Sequence, residues 1–487
     1  MNKSPVTIVF GLSAMILPTI VLAQSDFTHL SSGKQEVSPT TTPGSKPQTL
    51  KLSMATAVST ALAKSKTLKI SAEAVARAHG RTNEQKDGYN PILSTTTTIT
   101  HLDSGSTITL PGSNGAVQTI PIVLQDQTQL ALQASVPIDF SGLIRAAVQQ
   151  SEFQEIVSRL DYNRARNQTV LDVKNAYYDV LRAKAFVIVA DESVKNSQDR
   201  QSTAELNLKV GTGTKFDVLR AQTDVANAQQ SQISAKNRVN LAAATLNNVL
   251  NLDQNTPIDI EESAEKGSDS GQIEFNAAVA EAYKNRPEVL QAEANIRASE
   301  KGIRIAERSI LPTVGLGAGY NFTPNSGGFA PKLTSWAVTG TITFPIFDQG
   351  LSRSRTDQAK ADVKTAILNK QVTQDSVALD VRQNYLALTE AQDRLNVTSA
   401  ALAQAQEQFR LAQVRFKAGV TSAPGASPLL EISDAQTALT QAQSNRVNAQ
   451  YDLLNSRARL DRAIGRYAFD GNASPGLASP NELKPRK

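Results

Sequence analysis

The chain has 487 residues, a formal net charge of +5, aromatics at only 5% and no cysteine. So few large side chains over such a length argue against one compact core and for long helices with small, polar-rich contact faces. Cations and acids are interspersed along the chain and no clustered basic stripe of the kind that nucleic-acid binding requires stands out; without a thiol neither a disulfide nor an N-terminal lipidated cysteine can form.

Residues 1–23 read as a secretory signal: Lys3 supplies the positive start, 6–22 the apolar run, and Val21-Leu22-Ala23 a cleavage site before Gln24. Pro5, Pro18 and the shortness of the run disfavour the competing reading, an uncleaved anchor. Residues 24–49, rich in Ser, Thr, Pro and Gln, are expected to form a disordered leader. A helix is predicted over 52–87, broken near Lys66-Thr67, and Asn90-Pro91 opens an extended region. A Thr-rich strand with weak alternation follows at 92–102. In a second strand, Leu130, Leu132, Ala134, Val136 and Ile138 alternate with Gln129, Ala131, Gln133, Ser135 and Pro137. Residues 143–210 then run without one Gly or Pro. As helix, such a stretch reaches about 100 Å at ~1.5 Å per residue. A turn at Gly211 sends the chain back in a second helix.

After a linker or equatorial segment at 252–272 the pattern repeats. Residues 52–91 match 273–312 at an offset of 221, and the long Gly- and Pro-free helix recurs at 351–418, offset by 208. The first copy therefore carries 13 more residues between its strands, and the second carries six more at its turn, around 421–427. Length differences that fall between elements are what a duplication should show. The repeats are assigned to 50–251 and 273–465, with a disordered, Gly- and Pro-bearing tail at 466–487. Each repeat reads helix, strand, loop, strand, very long helix, tight turn, returning helix.

The second copy's strands alternate more clearly. Val314, Leu316, Ala318, Tyr320 and Phe322 interleave with glycines and Asn321; Trp336, Val338, Gly340, Ile342, Phe344 and Ile346 interleave with Ala337, Pro345 and threonines. Ten-residue segments of this kind suit a barrel wall with lipid outside and water inside. Strands of a soluble sheet have the same period, and the pattern alone does not separate the two. On the barrel reading, Leu130, Leu132, Val136, Leu316, Tyr320, Trp336, Val338, Ile342 and Phe344 face lipid. No later segment is apolar enough for a transmembrane helix, so any membrane contact after export falls to strands.

The long helices carry a heptad line: Val381, Leu388, Leu395, Leu402, Phe409 and Phe416, matched by Val173, Val180, Val187, Val194 and Leu208 with Gln201 as the polar exception. This predicts left-handed supercoiling against neighbours. The companion line, taken from Tyr385, is polar at Gln392, Ser399, Gln406 and Gln413, a pattern that suits a helix in a ring around water.

These features together resemble the TolC family of outer-membrane efflux proteins. The motif Val210-Gly211-Thr212-Gly213-Thr214-Lys215-Phe216-Asp217-Val218-Leu219 before Ala221-Gln222 is similar to the family's periplasmic tip, and Lys417-Ala418-Gly419 with Leu430-Glu431-Ile432-Ser433-Asp434-Ala435-Gln436 to its second copy. The likeness spans residues 52–465 in order. It implies a mainly α chain with a membrane β-barrel, forming a trimeric α-barrel/β-barrel channel-tunnel in the outer membrane that extends into the periplasm. It also implies a periplasmic adaptor (membrane fusion) protein docked at the tips (Val210, Gly211, Thr212, Asp217, Ala418, Gly419 and Thr421), and an inner-membrane pump or ABC transporter as energy source. Three copies of four strands make twelve, whereas closed membrane barrels begin at eight.

Glu431 and Asp434, three apart near the start of the returning helix, share a face. The family places an Asp-x-x-Asp pair here as the ring that narrows the closed tunnel; a helix start favouring carboxylates through its dipole accounts for them equally. Asp217 takes the place of Glu431 in the first repeat, but Arg220 replaces the second acid. Gly211 and Gly419 are expected to end helices. No catalytic, cofactor-binding or metal-binding set is expected. His29, His79 and His101 are dispersed, and neither a phosphate loop nor a nucleophile elbow occurs. The leading function is a passive exit duct of a tripartite efflux or type I secretion system. An envelope coiled-coil protein would leave the strands unexplained, and a solute-uptake porin the long helices.

Overall fold

The computed structural model describes residues 50–111, 117–261, 273–325, 327–328, 333–418, 420 and 428–468. The signal, the leader, linker residues 262–272, Gly419, Thr421 and tail residues 469–487 lie outside them.

The elements in chain order are β1 (Leu50–Leu52), α1 (Met54–Lys64), α2 (Lys66–Asp87), β2 (Ile92–His101), β3 (Ser106–Pro111), β4 (Val117–Val123), β5 (Asp126–Ile138), α3 (Leu143–Lys209) and α4 (Lys215–Val249). Then follow β6 (Ile258–Ile260), α5 (Phe275–Asn285), α6 (Pro287–Arg308), β7 (Thr313–Phe322), β8 (Thr334–Thr343), α7 (Leu351–Ala418), α8 (Pro428–Ala463) and a 3-10 turn, Arg466–Ala468. The break in the first helix falls at Ser65, whose hydroxyl accepts from Leu68 N and starts α2. Its counterpart 221 residues on is Arg286, where α5 gives way to α6.

The helices form four parallel columns. α2 lies against the upper part of α3 and α4 against its lower part; α6 and α8 sit in the same way between α3 and α7. The seam of the long helices explains how they pack. Val173, Val180, Val194, Val381, Leu388 and Phe416 are buried, whereas Leu208 is exposed, so the first line ends before the tip. The companion line is not the polar one predicted from Tyr385. It lies three residues after the first, at Ala183, Ala190, Ser197 and Ala204 and at Ala391, Ala405 and Ala412, all buried. Small side chains let neighbouring helices approach closely, so the contact is narrow but dry.

A collar packs on this wall at mid-height. β1 pairs in parallel with β6, so residues 252–261 of the expected linker include a strand. Tyr177, 1% exposed, donates its hydroxyl hydrogen to the carbonyls of Leu52 (3.1 Å) and Glu261 (2.7 Å), between the ends of those strands. In the second repeat Tyr385 instead meets Phe275 edge-on, with ring centroids 5.9 Å apart. The expected tail begins as folded structure: Tyr467 is buried, its hydroxyl donates to the Ala458 carbonyl at 2.9 Å, and Lys174 lies over its ring. A buried aromatic whose polar tip is satisfied holds this segment folded despite the Gly and Pro content that follows it.

The second-repeat collar is held by charge. Arg286 is buried, donates to both oxygens of Glu288 (3.2 and 3.1 Å) and reaches Asp380 at 2.6 Å; Arg462 also contacts Asp380. Burial pulls the Arg286 pKa down, and the two carboxylates more than reverse it. The Glu288 carboxyl, pushed up by burial, is brought below its usual range by Arg286.

Candidate functional site

Four strands form one antiparallel sheet in the order β2-β5-β7-β8. Because directly paired residues point to the same side, the register sorts the sheet into two chemistries. Leu132 opposes Tyr320, which opposes Trp336; Val136 opposes Leu316; Ala318 opposes Val338; and Val314 opposes Ile342. Leu130 joins this face opposite Phe322, and β2 adds Leu93 and Ile99 with Thr95 and Thr97 between them. The other face carries Thr96, Thr98, Gln133, Ser135, Gly317, Gly319, Thr339 and Thr341. Trp336 and Ile342 are 77% and 72% exposed on the apolar side. Phe344, expected on that face, lies beyond the end of β8 at Thr343: Pro345 has no N–H to donate and restricts the residue before it. Among the described residues, the outer strands β2 and β8 each keep one unpaired edge.

The 13 extra residues of the first repeat lie within a second hairpin, β3–β4, which the sequence reading missed. Ile108 and Ile120 pair on one of its faces, an alternation that could have revealed it. Asn325 ties the β7–β8 connection to this region. Its side-chain oxygen accepts from Thr128 N at 2.9 Å and its amide donates to the Asp126 carbonyl at 2.6 Å, continuing the ladder where β7 stops.

At the opposite end the two hairpins turn differently. In the first, Gly211 has φ +79°, and the N–H groups of Thr212 and Gly213 both donate to the Asn207 carbonyl at 2.9 Å. A Cβ on Gly213 would come within 3.1 Å of the Leu208 nitrogen, so glycine is needed there for space. Thr214 and Asp217 then close a capping box on α4, the Asp217 carboxylate accepting from both the Thr214 amide and hydroxyl. Asp217 thus has a structural task independent of docking. Val210 is exposed, as are Phe216 and Leu219 beside it.

In the second, Glu431 lies in the first turn of α8 and accepts from Arg415, in the last turn of α7, at 2.6 Å. Leu429, Ile432 and Ala435 are buried against Ala412 and Phe416. Asp434 is exposed, as is Ala418. Glu431 is therefore one half of an ion pair rather than a free carboxylate, and Arg415 is a member of the site that sequence reasoning missed. Ser433 donates to Asp224 of α4 at 3.2 Å, linking the two hairpins within a turn of Asp434. Nearby Arg200 is buried in α3 with its Nη2 on Ser197 at 2.9 Å; burial lowers its pKa and Asp224 partly opposes this. The second-repeat counterparts of Ser197, Arg200 and Asp224 are Ala405, Gln408 and Ala438, so this polar node belongs to one hairpin alone.

Among the described residues no group of three or more His, Cys, Asp or Glu could hold a metal ion, and no helix is long and apolar enough to cross a membrane. A helical wall of this length, crowned by a sheet with one apolar and one polar face, defines a channel-tunnel of the outer-membrane type. The family model described as "Outer membrane efflux protein" matches residues 57–252 and 278–466, and the chain belongs to that family. It is similar to the solvent efflux pump outer membrane protein SrpC of Pseudomonas putida (24% identity; 70% of this chain, 72% of that one). The pyoverdine export outer membrane protein OpmQ of Pseudomonas putida is 26% identical over 69% of each chain. Among solved structures, CusC matches with a TM-score of 0.70 (18% identity; 88% of this chain, 95% of that one). VceC of Vibrio cholerae matches with a TM-score of 0.67 (18% identity; 85% of this chain, 96% of that one). The protein is an outer-membrane efflux channel component, in a family of channels rather than enzymes.

Proposed function

We propose that three copies assemble into one continuous duct, the sheet spanning the outer membrane and the helices the periplasm. Substrates handed over by an inner-membrane pump or ABC transporter leave through it, in a tripartite efflux or type I secretion system. The observation that carries this reading is the four-stranded sheet, with one apolar face running across β5, β7 and β8 and two unpaired edges. Four strands cannot close a barrel, and an open edge in lipid leaves backbone groups unsatisfied. Joining β8 of one copy to β2 of the next removes every edge and yields twelve strands. The helical columns then close beneath it as a ring, with α7 meeting the α2/α4 column of the neighbour.

The tips at 210–217 and 418–421 are assigned to adaptor docking, supported by exposed Val210, Phe216 and Leu219. Glu431 and Asp434 are assigned to the narrow entrance. In the trimer three Arg415–Glu431 pairs and three Asp434 carboxylates ring the axis, a smaller net charge than six free carboxylates. The duct has no energy source of its own; the transporter drives export.

Outer-membrane fractionation, planar-bilayer recording and cysteine crosslinking at Thr212→Cys test the reading, the last on a chain with no native thiol background. The expected outcome is an outer-membrane trimer that opens channels and crosslinks to a periplasmic protein during active export. A soluble protein, or a membrane protein without channels, contradicts it.

A further inference from the structure

Just beyond the barrel sheet the helical wall carries cations that make no ion pair of their own, with Glu300 and Glu307 set among them on α6. Arg145 and Arg353 lie in the first turns of α3 and α7, and Lys301 and Arg304 in the last two turns of α6. Arg308 is committed to the Gly142 carbonyl at 2.6 Å, and Arg297 to Glu293 and Glu300. Among the described residues, Arg145, Lys301, Arg304 and Arg353 form no ion pair with a carboxylate, and Lys301 lies over the Phe153 ring of α3 at 6.0 Å. Burial lowers the Lys301 pKa, and the charges of Arg304, Arg297 and Arg145 lower it further, with Glu300 opposing them. The helix starts do not account for this excess. Asp139 accepts from the amides of Ile144 and Arg145, and Asp348 from those of Gly350 and Ser352, so both positive helix ends are already satisfied.

These cations share the convex side of the wall. On α6, residues 297, 301, 304 and 308 form one stripe, and the opposite stripe, Glu288, Ala292, Asn295 and Ser299, lines a polar groove of about 490 Å³ against α3 and α7. On α3, the heptad line from Arg145 through Arg159 and Arg166 arrives at Val173, in the core where the collar sits. That collar must lie outside. Twelve columns spaced by about 9–10 Å, each about 10–12 Å thick, leave a bore of roughly 25 Å, too narrow for three added layers. Between the sheet and the cations come Phe140, Phe344 and Phe347, all exposed. They occupy the place of the aromatic girdle that marks the edge of a membrane barrel's apolar band.

We propose that this cationic stripe binds the phosphate headgroups of anionic glycerophospholipids in the leaflet that borders the helical end of the barrel. The inference rests on the outer-membrane trimer described above and names its lipid partner. Charge complementarity and continuity with the lipid-facing band single out lipid. Cations one to two turns from the sheet lie within a Debye length or so of the headgroup plane.

The test uses the purified full chain in detergent, with retained lipids counted by native mass spectrometry after exposure to phosphatidylglycerol or phosphatidylcholine. Wild type should retain phosphatidylglycerol with about a tenfold preference that declines as salt rises. The variant Arg145→Gln/Lys301→Gln/Arg304→Gln should lose most of that preference, and Lys236→Gln/Arg238→Gln in α4 should keep it. Should the triple variant fail to assemble, Arg304→Gln alone and the wild-type salt series decide the matter. Equal retention of the two lipids, an unchanged preference in the variants, or displacement by equimolar inorganic phosphate overturns the proposal. A wild type that neither inserts into vesicles nor opens channels refutes the parent reading instead.

Discussion

The two hairpins share one scaffold and differ in what closes them. The first ends in a turn built from backbone: two glycines, a shared Asn207 carbonyl and a capping box of Thr214 and Asp217. The second is closed by an ion pair, Arg415 with Glu431, and leaves Asp434 exposed beside it. Higher up the positions trade roles. Ser65 caps α2 with a hydroxyl, whereas its counterpart Arg286 is buried between two carboxylates. After duplication the packing positions were kept and the charged ones diverged, so the differences between copies are the best guide to function.

The largest separation is expected at that upper pair. Arg286→Ala strands Glu288 without its ion-pair partner, leaves Asp380 with Arg462 alone, and should cost about 3–5 kcal/mol. Ser65→Ala removes a cap and should cost about 1 kcal/mol. Equal losses in chemical denaturation would erase the distinction between the copies. Next comes Ile342→Arg, which puts a charge on the apolar face and should impair insertion by about 2–4 kcal/mol. Thr341→Arg, on the polar face, should insert; equal behaviour would show that the sheet is not sided.

A smaller effect is expected at the paired tyrosines. Tyr177→Phe loses the bridge to Leu52 and Glu261 and should cost about 1–3 kcal/mol, while Tyr385→Phe keeps its ring contact with Phe275 and should be nearly silent. Thermal melting of both variants checks this.

The smallest expected effect is a pH response. Glu155 sits between α2 and α3; burial pushes its carboxyl up, but Arg159 and His79 bring it below the usual range. A carboxylate with a lowered folded pKa contributes stability above the unfolded value of about 4.3 and loses it as pH falls through the folded one. Stability should therefore decline below about pH 4, and Glu155→Gln should flatten that slope.

The helices and their duplication were legible because Gly and Pro punctuate this chain so sharply: the predicted 143–210 and 351–418 differ from α3 and α7 by at most one residue. The heptad line was legible too, but its companion was sought four residues on, where polar side chains stand, rather than three, where alanines do. Alanine carries little hydrophobic signal, yet it sets how closely helices pack. The apolar strand faces could be read from alternation; the end of β8 at Thr343 could be read only by giving Pro345 its due. At the candidate entrance the acids stood out in the sequence, but the partner of Glu431 did not. Arg415 lies sixteen residues back across the turn where the second copy is longer, so no helical spacing connects the two.

The second tip, and not the first, is proposed to form the entrance of a conducting duct. Single-channel recording of wild type, Glu431→Ala/Asp434→Ala and Asp217→Ala in planar bilayers tests it most directly. Wild type is expected to show low resting conductance with a preference for cations, because clustered carboxylates at a narrow mouth concentrate them. The double variant should conduct more or lose cation preference while remaining trimeric, and Asp217→Ala should match wild type. A double variant with wild-type conductance and selectivity, or an Asp217→Ala variant that alone changes them, would contradict it.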